Sequence, residues 1–177
     1  MSEDTAGRKH AISIPEPSLV VLVGTSGSGK SVFANRHFRA TEVISSDACR
    51  GMVSDDTNDQ SVTKDAFEIL RFIAAKRLAN GKLVVVDATN VQAGARAPML
   101  ALAREYHVFA VAIVLDVDKK VCLERNRERP DRNFGAHVVE NQRRDLRRSL
   151  RRLKREGFRF THVLKTPEEI DEATVER

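Results

Sequence analysis

Leu19-Val20-Val21-Leu22-Val23-Gly24-Thr25-Ser26-Gly27-Ser28-Gly29-Lys30-Ser31 decides the fold. Its first five residues are a continuous apolar run rich in β-branched side chains, the pattern of a strand buried on both faces of a parallel sheet. The remainder satisfies G-x-x-x-x-G-K-[ST], placed directly after that strand and before a helical pattern from Lys30 to Phe38. Glycines let the backbone fold around a phosphate with its N–H groups pointing inward, and the helix that follows adds its positive end. Gly24, Thr25, Ser26, Gly27, Ser28 and Gly29 are therefore expected to cradle the phosphates of ATP or another NTP. Lys30 would reach the β- and γ-phosphates, and the Ser31 hydroxyl would ligate Mg²⁺.

Outward from this stretch, short apolar runs recur at Glu42–Ser45, Leu83–Val86, Phe109–Leu115 and Phe160–Leu164, which makes five expected strands. Helical patterns lie between them: Thr63 to Ala79, Gly94 to Tyr106, Asp118 to Arg127, Gly135 to Glu156, and a short one from Pro167. In the first of these, Ala66, Phe67, Leu70, Ile73, Ala74 and Leu78 recur at three-and-four spacing and make one core face. Strand-helix alternation predicts an α/β sandwich with a mainly parallel sheet. Cys49 to Gln60 and Asn126 to Phe134 interrupt the rhythm and are expected to form a substrate loop and a mobile lid. Ile12 to Ser18 reads as a short leading arm whose prolines forbid helix.

With 177 residues, 41% hydrophobic and 31% charged, the composition is that of one globular domain, which excludes fibrous and disordered classes. No apolar run is long enough to span a membrane, and Met1 to Lys9 is polar and aperiodic, so the chain is expected to be soluble and cytoplasmic. Cys49 and Cys122 lack metal-ligand spacing, and the five histidines form no cluster in sequence. The net charge of +5 is unevenly spread. Arg143 to Arg155 alone holds seven arginines and one lysine against Asp145, which is +7 and leaves −2 for the remainder. Such a patch either attracts polyanions or is a solvated helix face. A leucine stripe through Leu146, Leu150 and Leu153 must be core, so these arginines either line the cleft or keep the surface soluble.

Phosphoryl transfer needs more than a cradle. The second strand ends Ile44-Ser45-Ser46-Asp47, delivering a carboxylate where an acceptor hydroxyl would sit. Asp47 is a general-base candidate, or else a cap on the turn that follows. Arg50 could hold an anionic group of the acceptor through two parallel hydrogen bonds. The third strand ends in Asp87, which either assists Mg²⁺, directly or through water, or braces Arg50 or caps its loop. Thr89 and Asn90 follow at the carboxyl end of the sheet, where ligands of parallel sheets bind, so Asn90 is a substrate-binding candidate. Arg125, Arg129 and Arg132 flank Pro130 in the expected lid. Arg125 and Arg132 are the favoured arginines to stabilise charge on the polyphosphate, the alternative being surface pairing with Glu124, Glu128 or Asp131.

Taken together, Gly24-x4-Gly29-Lys30-Ser31, Ser46-Asp47-x2-Arg50-Gly51, Asp87-Ala88-Thr89-Asn90, Glu124-Arg125-Asn126 and Arg132 resemble the 5′-hydroxyl kinase domain of bacterial polynucleotide kinase-phosphatases, and more distantly the phage polynucleotide kinases. Val53-Ser54-Asp55-Asp56-x-Asn58-Asp59-Gln60 and Arg155-Glu156-Gly157-Phe158-Arg159 are more specific to that likeness than the P-loop. The resemblance implies a P-loop kinase fold with a helical lid over about 125–156, on a domain of residues 12–177 preceded by a flexible tail over 1–11. It implies an ATP- and Mg²⁺-dependent enzyme acting on the 5′-OH ends of RNA or DNA. Asp47 would be its general base, Arg50 with Gln60 would position the acceptor, and Arg125 and Arg132 would be the lid arginines. It also implies phosphatase and ligase modules and an RNA 3′-end methyltransferase as partners.

Overall fold

The computed structural model describes residues 10–131 and 135–177. Seven strands and eight α-helices alternate along it. They are β1 (Ala11–Ser13), β2 (Ser18–Gly24), α1 (Lys30–His37), β3 (Val43–Ser45), α2 (Ser46–Ser54), α3 (Thr63–Ala79), β4 (Val84–Asp87), α4 (Ala93–Glu105), β5 (Phe109–Leu115), α5 (Lys119–Arg127), α6 (Ala136–Leu150), α7 (Leu153–Glu156), β6 (Phe160–Leu164), α8 (Pro167–Glu172) and β7 (Thr174–Glu176). The five expected strands form one sheet of order β3-β4-β2-β5-β6, every pair parallel. This is the fold of P-loop kinases.

Period-two alternation in β2 divides the core. Leu19, Val21 and Val23 face α3 and α4 through Ala66, Leu70, Ala74 and Met99, while Val20 and Leu22 face α1 and α5 through Phe33, Ala34 and Cys122. With both faces covered, β2 is buried from end to end, which is why its sequence is uniformly apolar. Because all five strands run the same way, the loops at their carboxyl ends gather on one edge.

The structure corrects several expectations. The stretch from Cys49 is not an irregular loop: α2 runs to Ser54, its start capped by Ser45 Oγ accepting from the Ala48 N–H, and Asp55 at φ 63° ends it. The leading arm contains β1, which pairs in parallel with β7, a strand the sequence reading lacks. Ala11, at the end of the expected tail, is therefore paired with Thr174, while Met1 to Lys9 lie outside the described residues. The helix expected over 135–156 breaks between Leu150 and Leu153 into α6 and α7. Within this stretch Val139, Leu146 and Leu153 are buried in the two core clusters. No described helix is long and apolar enough to cross a membrane.

One buried charge ties the layers at the site's edge. Arg96 of α4 is fully buried and bonds both carboxylate oxygens of Glu156 (2.6 and 2.8 Å), Ser149 Oγ (2.9 Å) and the Asn90 carbonyl (2.7 Å). Truncating one partner of such a pair strands the other. Arg96→Ala is expected to lower unfolding free energy by roughly 3–5 kcal/mol in urea titrations. A loss under about 1 kcal/mol would show that Glu156 finds water instead.

Candidate active site

The loop after β2 folds back on itself and holds the N-terminus of α1. Gly29 is the residue before that helix, at φ 98°, and Gly27 sits at φ 83° with its Cα against α5, where a Cβ would lie 2.6 Å from the Cys122 carbonyl. Only glycine meets both demands at Gly27, so the spacing of the motif follows from backbone geometry. The loop is also gripped from outside. Thr25 Oγ1 lies 3.2 Å from Cys122 Sγ, Ser26 Oγ donates to Asn126 Oδ1 (3.2 Å), and Asn126 Nδ2 donates to the Ser26 carbonyl (3.2 Å). The side chains of Thr25 and Ser26 thus point at α5, and neither residue lines the cleft. Arg125 Nη1 donates to the Gly27 carbonyl (3.2 Å).

At the start of α1, Lys30 is buried and its ammonium donates to the Thr25 carbonyl (2.9 Å) and Ser28 Oγ (3.4 Å). Next to it, Ser31 Oγ donates to Asp87 Oδ2 at 2.7 Å. β4 lies beside β2 and its last residue is Asp87, so sheet register alone brings this carboxylate to the loop. Asp87 therefore meets Ser31 and does not brace Arg50.

Across the cleft, Asp47 Oδ1 accepts from Arg50 Nη1 at 2.7 Å, one turn apart on α2. Arg50 Nε donates to Thr63 Oγ1 (3.2 Å), and Thr63 Oγ1 reaches Gln60 Oε1 at 3.5 Å. Arg50 is largely buried by these partners, while the Asp47 side chain keeps 41% exposure to the cleft. Burial pushes the adjacent Cys49 thiol up despite the Arg50 charge, so it stays protonated. Lys30, Ser31, Asp47, Arg50, Asp87 and Arg129 line one cavity of about 270 Å³. A second, of about 430 Å³, lies on the other flank of the loop, between α1, Arg125 and α8. Gly27, Gly29 and Arg129 border both.

Two expected substrate contacts fall elsewhere. Asn90 is buried at φ 50° and gives its amide nitrogen to the Leu22 and Ala88 carbonyls, so it braces the loop between β4 and β2 and does not line the cleft. Gln60 is exposed beyond Thr63, one link from Arg50, and lines neither cavity. Arg132 lies outside the described residues. The arginines of α6 line neither cavity. Three contributors have no site role in the sequence reading: Asn126, Arg129 and Gln142, whose Oε1 accepts from the Ser26 N–H at 2.8 Å. The i,i+4 spacing of Arg125 and Arg129 is a signal for Arg129, and Asn126 stands in the Glu124-Arg125-Asn126 motif, whereas nothing in the sequence points to Gln142.

A family model for the AAA domain matches residues 19–153. No curated protein sequence matches the chain. Among solved structures, a chain of the Pnkp1/Rnl/Hen1 RNA repair complex is 22% identical at TM-score 0.66, covering 85% of this chain and 49% of its own. The present chain thus spans about half the length of that protein. Mycobacterium tuberculosis APS kinase CysC, with AMPPNP and APS, is 20% identical at TM-score 0.56 and covers 90% of this chain and 94% of its own. Chaetomium thermophilum Kti12, with ADP-AlF3, is 16% identical at TM-score 0.58 over 88% and 94%. At these identities the likeness is one of fold. The family match is broader in its consequence: it runs from the first core strand through the helix bearing Gln142 and takes in every cleft residue described above, and the chain belongs to the AAA domain family.

Proposed function

We propose that residues 12–177 form an NTP-dependent 5′-hydroxyl polynucleotide kinase domain that phosphorylates RNA or DNA ends. The observation that carries this reading is the Asp47–Arg50 pair, facing the Lys30 and Ser31–Asp87 side of the same cavity. A switch or a simple ATPase has no need of a second carboxylate opposite its phosphate cradle. The sequence motifs shared with polynucleotide kinases and the fold likeness to an RNA repair complex chain support the choice of acceptor.

In this reaction the acceptor 5′-oxygen attacks the γ-phosphorus, its proton passes to Asp47, and the bond to the bridging oxygen breaks with its electron pair going to the nucleoside diphosphate. Arg50 holds Asp47 and faces the acceptor. Lys30 moves from the Thr25 carbonyl and Ser28 hydroxyl to the β- and γ-phosphates, and the loop N–H groups receive the remaining charge. Arg125 and Arg129 approach from α5 and the residues after it, and Arg132 is assigned with them. The nucleoside occupies the cavity by Val32 and Arg36.

Ser31 and Asp87 fit Mg²⁺: a hydroxyl and a carboxylate already in contact are hard oxygen donors, and no group of three metal-ligating side chains occurs among the described residues to build an all-protein cage. When bound there with phosphates and water, Mg²⁺ would neutralise charge on the β/γ-oxygens. By the same reading, phosphatase and ligase modules and an RNA 3′-end methyltransferase are its partners.

The deciding experiment offers γ-labelled ATP and Mg²⁺ to a panel of 5′-OH RNA, 5′-OH DNA and small-metabolite acceptors. Label on an oligonucleotide end is expected. Label only on a small anionic acceptor would favour a metabolite kinase, a reading the near-complete overlap with APS kinase keeps in view. Arg129→Ala should lower kcat by about 10²-fold, because its contact strengthens as charge spreads in the transition state. A change confined to the KM for ATP would make it a ground-state ligand only.

A further inference from the structure

On the flank of α6 turned away from the P-loop is a groove of about 570 Å³. Its walls are Lys119, from the start of α5, Arg143, Arg144, Arg147 and Arg148 of α6 and Arg151 at its C-cap, with Glu140 the one acid among them. None of these residues lines the transfer cavity or its neighbour. We propose that this groove is a second polyanion site that holds the phosphodiester backbone of a nucleic-acid strand at a distance from its reacting end. The proposal rests on the polynucleotide reading above for the identity of the polymer.

Three observations carry it. The first is pairing. Lys119 is tied to Glu140, and Arg143 donates to the Val117 carbonyl and lies 3.7 Å from Asp116, so the groove's floor is fixed. Arg144 reaches only the Asn141 amide oxygen, and among the described residues no carboxylate is within ion-pair distance of Arg144, Arg147, Arg148 or Arg151. A face kept only for solubility is normally laced with opposite charges at i,i+4, whereas Arg143/Arg147, Arg147/Arg151 and Arg144/Arg148 are like-charge pairs that oppose the helix. An anion in the groove turns that repulsion into attraction.

Spacing is the second. Two rows advance by four residues, about 6 Å of helix rise, close to the step between neighbouring phosphates of a strand. Guanidinium groups suit the task because their fork meets phosphate oxygens two at a time. Third comes presentation. Val139 and Leu146 are buried on the stripe of α6 beside these rows, so the helix cannot roll, and Arg144, Arg147, Arg148 and Arg151 are held exposed. Gln142, on the inner side, touches the P-loop, which puts groove and cleft on two flanks of one helix.

The test uses the whole chain. A fluorescent single-stranded RNA 20-mer with a blocked 5′ end is titrated by anisotropy across a KCl series with wild type, with Arg147→Gln/Arg151→Gln, and with the charge-matched control Arg71→Gln/Lys82→Gln, whose targets are exposed on and just after α3. The groove variant should bind at least tenfold more weakly, and its salt slope should be shallower by about 1.4, since each single-strand phosphate contact contributes about 0.7. The control should match wild type. Transfer to a 5′-OH dinucleotide should be unchanged in the groove variant while kcat/KM for a 5′-OH 20-mer falls. Equal affinity and slope in wild type and groove variant would overturn the proposal, as would displacement of the RNA by polyglutamate of matched charge, which would mark an acidic protein segment as an equal occupant. The two readings fail separately. RNA held by the groove with no transfer to any 5′-OH oligonucleotide supports the groove and removes the kinase reading, and transfer with no groove contribution does the reverse.

Discussion

Lys30→Ala is expected to reduce phosphoryl transfer by about 10³-fold or more at saturating ATP, while the protein remains folded. Its ammonium donates to a carbonyl and a hydroxyl of the loop, so the substitution removes at least those two hydrogen bonds from the free protein. Loss of those two bonds costs on the order of 1–3 kcal/mol of stability. In the reaction the same ammonium is the one lysine charge lining the cavity beside the glycines, and it acts where solvent is largely excluded. Arginine is not expected to restore it, because a planar five-donor fork does not match the carbonyl and hydroxyl to which the ammonium donates. Ser31→Ala removes no charge and leaves Asp87 without its 2.7 Å partner, so its defect should be partly overcome by raising Mg²⁺, whereas that of Lys30→Ala should not. Initial rates with γ-labelled ATP over a Mg²⁺ series separate the two. Near wild-type turnover in Lys30→Ala would remove the P-loop assignment.

The difference between what was readable in the chain and what was not follows from the range of the interactions. The run Leu19–Val23 reads as a central strand because burial on both faces leaves no polar position, and α3 reads as a helix because seventeen residues give its apolar face several repeats. α2 escapes because nine residues give too few, and Gly51 and Ser54 look like loop residues although a side-chain cap at Ser45 starts the helix. β1 and β7 are three residues each, and they exist because the two ends of the described chain meet. In the site, Lys30, Ser31 and Asp87 were legible because a local motif and sheet register place them. Gln142 acts across a long sequence separation with no spacing to betray it, and the grip of Asn126 on Ser26 and the place of Arg129 in the cavity likewise depend on long-range packing. Asn90 misled for the opposite reason: it sits at the ligand-binding edge, yet its left-handed backbone turns the amide under β2.

Asp47→Asn should preserve ATP binding and fold while lowering kcat by about 10²-fold or more. The carboxylate lies in the first turn of α2, where its interaction with the helix dipole is worth about 0.3–1 kcal/mol, and its pair with Arg50 is 41% exposed on the acid side, so solvent discounts it further. An amide keeps the oxygen that accepts from Arg50 Nη1 and hence keeps the pair's geometry, but it cannot take a proton from an attacking hydroxyl. The two roles open to Asp47 therefore diverge under this one substitution. If it is the general base, turnover falls while the KM for ATP and the urea midpoint stay close to wild type. If it only orders the start of α2, turnover follows stability and both change little. Arg50→Lys provides the complement: the charge remains, but the second contact to Thr63 is lost, and acceptor KM should rise more than kcat falls. Normal turnover in Asp47→Asn would end the assignment of Asp47 as the base and with it the distinction drawn here between a kinase and a nucleotide switch.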